Sequence, residues 1–320
     1  MRIIYMGTPD FAVPSLHALI HSRHQVVAVC TQPDRPAGRG HKLTPSPVKV
    51  KAMAHDLPVY QPETLRLEAS RPLRATLRAY QADIFVVAAY GLMLPKGILN
   101  MPPMGCINVH ASLLPQYRGA SPIHAALLNG DQKSGVTIMH MDIGLDTGDM
   151  IHKRELDISP QERFLSLHHR MAHVGAEALL EALDLLEGDS PPRTPQDDAL
   201  SCYAPILKKG DGMIDWNKNS HEIINLTRAF DPWPGGQSTY QGKPLKIWTV
   251  EAGTFEGAAA PGTILDVVPT KGVLVKTGDG ALWIVEIQGE GSKRMATPDY
   301  LRGREIIVGQ KINSLEDLHD

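Results

Sequence analysis

Short runs that are apolar at nearly every position, separated by stretches of helical period, constrain this chain more than any other feature. Residues 3–6, 26–30, 84–89, 106–109 and 136–139 are such runs, and residues 14–21 between the first two carry a helical pattern. A strand that is apolar on both faces must be covered on both, and strands joined through helices cross over and run parallel. The expectation is an α/β fold with a doubly wound, Rossmann-like, mostly parallel sheet containing all five runs as parallel strands. Residues 161–188 form the longest helical stretch, opened by Ser159-Pro160 with Glu162 nearby and closed by Gly188, and the first domain is expected to end there.

A change of composition follows. Pro191, Pro192, Pro195 and Pro205 stand among acidic and small residues, which resists regular structure and suits a stiff linker. Beyond it, residues 237–240, 245–250, 262–268, 273–276 and 281–288 are short β-like runs punctuated by Gly-Lys-Pro, Lys-Gly and Gly-Asp-Gly turns, after one helix near 221–230. With 320 residues the chain is long enough for two cores. Domains are expected at 1–189 and 206–320, joined by a linker at 190–205, the second being a smaller OB-like β-barrel or a sandwich.

The formal net charge is −3, from 32 basic and 35 acidic residues, so a nucleic-acid partner would have to be met by a local basic patch rather than a global field. Cys30, Cys106 and Cys202 are odd in number and far apart, which argues against a disulfide framework or a paired-cysteine zinc site. The opening Met-Arg-Ile-Ile-Tyr-Met-Gly is too short an apolar stretch for a signal peptide, and no run approaches the ~20 apolar residues of a membrane helix. A cytoplasmic protein with no membrane partner is expected.

The chemistry concentrates at Asn108 and His110, two apart at the end of a strand run and therefore on one face. In an open α/β sheet the ends of the strands are the usual ligand site. An amide and an imidazole pointing there suit one task, donating to an oxygen that gains charge during acyl transfer. Asp146, in the loop after residues 136–139, can join them if those strands are neighbours and their loops emerge side by side; a carboxylate there would orient the imidazole. Spacing alone leaves open that Asn108 caps a turn, that His110 is a satisfied core histidine and that Asp146 only shapes its loop.

Other site readings are weaker. Gly7-Thr8-Pro9-Asp10 sits where a dinucleotide fingerprint would, but lacks the G-x-G-x-x-G spacing, and Gly38-Arg39-Gly40 does not directly follow a strand. His169 and His173 are four apart on a helix without an adjacent Glu or a third ligand, so no metal is expected. Asp142, Asp146 and Asp149 do not match a calcium loop. No Gly-x-Ser-x-Gly elbow appears, which favours direct attack of one bound substrate on another over a covalent enzyme intermediate.

Residues 31–51 carry Arg35, Arg39, Lys42, Lys49 and Lys51 against Asp34 alone, a local charge of +4, interspersed with prolines and glycines. A loop this long and basic is functional or disordered on length priors, and its charge fits phosphate contacts. Lys208 and Lys209 add a second basic point after the linker.

Taken together, Gly-Thr-Pro-Asp-Phe at 7–11, Gln-Pro-Asp-Arg-Pro-Ala-Gly-Arg-Gly at 32–40, Pro-Ser-Pro-Val-Lys at 45–49, Ala-Tyr-Gly-Leu-Met-Leu-Pro at 89–95, the run from Asn108 to Gly119, and Gly-Leu-Asp-Thr-Gly-Asp-Met at 144–150 resemble the formyltetrahydrofolate-dependent formyltransferases. The likeness continues through Ile214-Asp215-Trp216 and Ala229-Phe230-Asp231-Pro232-Trp233-Pro234, so it covers essentially the whole chain. The basic loop and the second domain narrow the resemblance to the branch that acts on tRNA.

What the resemblance implies is transfer of a formyl group from 10-formyltetrahydrofolate, with no metal, to the α-amino group of methionine on initiator tRNA, by a monomer. Asn108, His110 and Asp146 match the family's catalytic trio. Ser112, Leu113, Leu114 and Pro115 match its folate-binding stretch, with Leu92, Leu94, Asp142 and Ile143 walling the pterin pocket. Arg35, Arg39 and Lys42 would grip the acceptor stem, Arg39 foremost, and the second domain with Lys208 and Lys209 would contact the tRNA body. Where the family commonly has Asn, this chain has Asp231. The rival readings are a formyltransferase acting on an amino sugar nucleotide and a non-catalytic tRNA-binding protein on the same scaffold; a glycinamide ribonucleotide formyltransferase usually lacks the second domain.

Overall fold

The structure is a computed structural model and describes residues 1–37, 42–65 and 68–313. The chain divides into two compact units, one of Met1–Pro122, Lys133–Asp157 and His168–Ala204, the other of Ile123–Gln132, Ile158–Leu167 and Pro205–Asp320. Among the described residues no helix is long and apolar enough to cross a membrane.

In the first unit one sheet is built from β1 (Arg2–Gly7), β2 (Gln25–Cys30), β3 (Val59–Tyr60), β4 (Ile84–Ala88), β5 (Cys106–His110), β6 (Lys133–His140) and β7 (Met150–Asp157), in the order β7-β6-β5-β4-β1-β2-β3. β1 pairs in parallel with β2 and β4, β2 with β3, and β4 with β5. The sheet is mostly parallel, as its apolar strands require. The expectation that residues 136–139 form a parallel strand is corrected: β6 runs antiparallel to β5, and β7 antiparallel to β6. Residues 123–132 fold with the other unit instead of crossing back over this sheet, so the chain re-enters beside the end where β5 left it.

Alternation along β1 sends Ile4 and Met6 to one face, where they share a core cluster with Leu77 of α3 (Arg71–Ala79) and Ile98 and Leu99 of α4 (Lys96–Leu99). On β5 and β6, Val109 and Val136 meet α6 (Phe164–Leu186) at Gly175, where an added Cβ would stand 3.0 Å from Val109 Cγ1. Each fully buried aliphatic side chain contributes about 1.5–3 kcal/mol, so these runs are held in the sheet by burial on both faces.

In the second unit, β8 (Gly236–Tyr240), β9 (Lys243–Gly253), β10 (Ile264–Val268), β11 (Gly272–Lys276), β12 (Ala281–Gly289) and β13 (Ile312–Asn313) form an antiparallel sheet in the order β10-β11-β12-β9-β8-β13. It curls toward a barrel: Ile264 N donates to Gln310 O, Ile312 N donates to Gly262 O, and Thr263 pairs with Lys311, stitching its two edges together. Ile214, Trp216, Ile247, Ile284 and Ile287 fill the core with Ile223 of α7 (Ser220–Ala229), whose start is capped reciprocally by Asn219 and Glu222.

Arg228, on α7 and only 7% exposed, brings two distant stretches of chain into this unit. It donates to Pro160 O at 3.2 Å, Ser159 O at 3.4 Å, Leu127 O at 3.5 Å and Asn225 Oδ1 at 3.0 Å.

Asp231 precedes the Pro-Trp-Pro run, and its surroundings explain a carboxylate there. It accepts from Arg294 at 2.7 and 3.1 Å and forms an ion pair with Arg163 at 3.2 Å. Arg294 also donates to Glu286 at 2.6 and 2.7 Å, and Glu286 accepts from Thr249 at 2.7 Å. An amide at 231 would leave the two guanidinium groups short of one negative charge.

The Arg294 hydrogen bond holds the Glu286 carboxyl below its ordinary range. A depressed folded value contributes stability that is complete above the unfolded value of about 4.3 and is lost as pH falls through the folded one. Glu286→Gln should therefore melt below the wild-type protein near neutral pH, and the gap should close on acidification below about pH 4. Melting curves between these conditions check it; a pH-independent gap would contradict the assignment.

Candidate active site

At the end of β5 the ring of His110 is buried, 5% exposed, and fixed from both sides. Its Nε2 lies 3.0 Å from Tyr117 O, and since a carbonyl can only accept, Nε2 carries the hydrogen. That leaves Nδ1 as the ring atom open to proton exchange, and it faces Asp146 Oδ2 at 3.8 Å. The separation is too long for a hydrogen bond and short enough for a direct charge contact. Asp146 is itself oriented, its Oδ2 accepting from Gly119 N at 2.8 Å. Asn108 shares the face of His110, two residues earlier on the strand, is half-buried, and its side-chain amide makes no hydrogen bond among the described residues.

Asp146 reaches this point by a route the sequence did not disclose. β5 and β6 are neighbours, but they are antiparallel and Ile107 faces His140, so β6 exits beside the start of β5 and not beside its end. The loop must double back. Gln196 secures it by donating to Asp146 O and to Gly148 O, both at 2.8 Å. Gln196 also accepts from Arg118 at 3.0 Å, and Tyr203–Ala204 pairs in parallel with Arg118–Gly119. The proline-rich stretch thus lies bonded along the first unit and braces the site. Gly119, at φ +116, sits so close to this strand that a Cβ would stand 2.5 Å from Ala204 O. Tyr117 and Asp146 both hold positive φ, at 59 and 54, conformations costing non-glycine residues about 1–3 kcal/mol each and concentrated at functional sites.

Sequence reasoning missed Gln196, Thr137, Tyr117 and Lys153. Thr137 Oγ1 donates to Ser112 O at 2.7 Å and accepts from Leu114 N at 3.1 Å, and Lys153 Nζ donates to Leu114 O, latching the turn after His110 to β6 and β7. Gln196, Thr137 and Lys153 stand in no motif, and Tyr117, though inside the run from Asn108 to Gly119, acts through its backbone carbonyl, so the sequence carried no signal for these roles.

The expected folate residues divide into two kinds. Ser112 and Leu114 are fully buried, the hydroxyl donating to Gln116 O at 2.6 Å and the leucine packing with Met139 and Met150. They shape the turn, while Leu113 and Pro115 are half-buried beside it. Leu92 and Leu94 pack with Met141 against one core cluster. Nearby in sequence, Met93, Ile143 and Leu145 are 69, 81 and 55% exposed, apolar side chains on two loops. Asp142 accepts from Gly144 N and Thr147 Oγ1 at 2.9 and 2.7 Å, which sets the second loop.

Of the expected tRNA residues, Arg35 pairs with Glu63 at 3.2 Å, and Lys42 is exposed on the strand Lys42–Thr44, which pairs antiparallel with Arg35–Ala37. Arg39 lies outside the described residues. Lys49 is drawn into a pair with Asp34 at 2.7 Å. Lys208 and Lys209 are exposed at a short turn of the second unit.

Among the described residues two groups could hold a metal ion, Asp10 with His168 and His169, and His24 with Asp184 and Glu187. Neither includes a residue of the trio, and the first joins His169 to His168 and Asp10 rather than to His173. Burial pushes the Cys30 and Cys106 thiols up to about 12, so neither is a nucleophile at neutral pH.

Residues 1–183 match the family model described as "Formyl transferase", and residues 206–305 match "Formyl transferase, C-terminal domain". The methionyl-tRNA formyltransferase of Geobacter metallireducens is 49% identical over 312 residues, 98% of each chain. HypX from Aquifex aeolicus in complex with tetrahydrofolic acid shares the fold over 97% of this chain and 50% of its own, with a TM-score of 0.59 and 17% identity. A methionyl-tRNA formyltransferase from Clostridium thermocellum does so over 78% and 93%, at 0.55 and 15%. Matched in both domains and nearly half identical along its whole length to such enzymes, the chain belongs to the formyl transferase family, in its methionyl-tRNA formyltransferase branch.

Proposed function

We propose that the chain moves the formyl group of 10-formyltetrahydrofolate directly onto the α-amino group of methionyl-initiator tRNA, with Asn108, His110 and Asp146 as its catalytic groups. Formyl transfer to methionyl-tRNA is the activity of its family branch; the donor's form, the initiator identity of the acceptor and the residue roles are this reading. The observation that carries it is the clamped ring of His110, with Nε2–H committed to Tyr117 O and Nδ1 turned to Asp146.

The amine attacks as the neutral base, and an α-amino group titrates near about 7.7–8.0, so no strong enzymic base is needed. Attack on the formyl carbon builds a tetrahedral centre with a negative oxygen. The Asn108 amide and a proton on His110 Nδ1 stabilise it, while Asp146 balances the charge of the ring. When the carbon–nitrogen bond to folate breaks, a proton passed from His110 or from water beside Asp146 leaves with the folate nitrogen, and the proton shed by the attacking nitrogen replaces it.

In this reading the turn at Ser112, Leu113, Leu114 and Pro115, with Leu92, Leu94, Asp142 and Ile143, holds the folate. Arg35, Arg39, Lys42, Lys208 and Lys209 hold the tRNA. A cytoplasmic monomer is part of the same reading, its mass measurable by sedimentation. Incubation with methionyl-tRNA and the formylated folate, followed by mass analysis of the aminoacyl product, tests the whole; an unformylated product with an intact enzyme would end it. An amino sugar nucleotide formylated in place of methionyl-tRNA would establish the rival. Arg39→Ala should weaken tRNA binding and flatten its salt dependence by about one phosphate contact, with folate binding unchanged. Equal tRNA affinity across a salt series would remove the basic loop from the interface.

A further inference from the structure

Of the four tryptophans, Trp233 alone faces solvent: it is 51% exposed, while Trp216, Trp248 and Trp283 are 4, 6 and 9% exposed. Its place on the fold is tightly held. Pro232 and Pro234 flank it and fix the backbone on either side. Asp231, one residue further back, is gripped by Arg294 and Arg163. An aromatic ring presented this way loses little freedom when something binds to it.

Lysines stand on two sides of the segment that carries the ring, Lys208 and Lys209 on a turn packed against it and Lys246 on the neighbouring strand. A Cβ on Gly212 would meet Gly235 O at 2.3 Å and Pro234 Cγ at 3.0 Å, so the turn Lys209–Gly212 rests directly against the Pro-Trp-Pro-Gly segment. Gln237 Nε2 fixes that turn by donating to Lys209 O at 2.6 Å. From the other side Lys246 Nζ donates to Pro234 O at 3.1 Å. Burial and the nearby Lys209 hold the Lys246 ammonium below its ordinary range, as expected of cations crowded together. The one acid on the turn, Asp211, is committed to Lys208 N at 2.7 Å.

An exposed ring set among cations is the arrangement by which proteins bind single-stranded nucleic acid: the ring stacks a base and the cations follow the backbone. A surface for a protein partner would instead deplete lysines around its aromatic centre. We infer that Trp233 is a stacking platform for an unpaired nucleotide of the tRNA substrate, with Lys208, Lys209 and Lys246 taking the adjoining phosphates. The inference rests on tRNA being the acceptor and adds a base contact that phosphate-binding lysines alone would not make.

Because the other three tryptophans are buried, quenching of tryptophan emission by acrylamide reports on Trp233. Deacylated initiator tRNA added to the full chain should shield this emission, and a fully paired RNA stem should not. Trp233→Phe should lose the shielded signal yet keep most of the affinity, since a phenyl ring still stacks. Trp233→Ala should bind tRNA about five- to a hundredfold more weakly, the range of one stacked base. Unshielded emission with tRNA bound, equal shielding by the paired stem, or wild-type affinity in Trp233→Ala would each overturn the platform while formylation by the wild-type enzyme left the acceptor reading intact. Loss of both tRNA binding and formylation in the wild-type protein would instead mark failure of the acceptor reading, and the platform would fall with it.

Discussion

Asn108→Ala should lower kcat by about 10²–10³, the usual loss for one oxyanion donor, with little change in KM for either substrate. The amide has no partner among the described residues, so its removal leaves no buried group stranded and should leave the melting temperature alone. What disappears is an interaction formed only as the formyl oxygen gains charge, which is why the loss falls on kcat. His110→Ala should reach a similar loss, and the double variant should fall well short of the product of the two, because the groups act on one oxygen. Steady-state kinetics with each substrate varied in turn decides it. Near-normal turnover in either single variant would remove the oxyanion role.

Arg228→Ala should cost about 3–5 kcal/mol and lower the melting temperature by on the order of 10 °C. The side chain is almost wholly buried and satisfies carbonyls at Leu127, Ser159 and Pro160, drawn from two stretches far away in sequence. Truncation removes the donor to Pro160 O, leaves Leu127 O and Ser159 O with only the backbone amides of Gly130 and Glu162, and strips the nearby Glu162 carboxylate of its positive neighbour. Arg228→Lys keeps the charge but cannot span all three carbonyls, so its melting temperature should lie between the two. Thermal unfolding of the three proteins is the measurement; an unchanged transition in Arg228→Ala would show these bonds to be incidental.

The two variants separate what the sequence made legible from what it hid. The strands of the first sheet were readable because burial on both faces forces continuous apolar runs, as in β1, β2 and β4. β7 was not. Its Met-Ile-His-Lys-Arg-Glu-Leu-Asp alternates polar side chains at the sheet edge, and only its ladder with β6 identifies it. The antiparallel turn of β6 was equally hidden, since a strand's direction leaves no mark on its apolar pattern.

Asn108 and His110 could be paired from sequence because a strand's period of two is local geometry. Their partnership with Asp146 could not. It depends on a loop that doubles back, on Gln196 from the proline-rich segment and on the Gly119 amide, groups separated by tens of residues. Arg228 is a further case, an arginine on a helix that composition would place in solvent.

By itself, then, the sequence determined the classes of element, the two-part organisation and the shared strand face of Asn108 and His110, because each follows from short-range periodicity and burial. The tertiary structure alone decided strand direction, the capture of residues 123–132 and 158–167 by the second unit, and the tautomer of His110. These turn on hydrogen bonds between remote parts of the chain, whose partners are chosen only once the backbone has closed on itself.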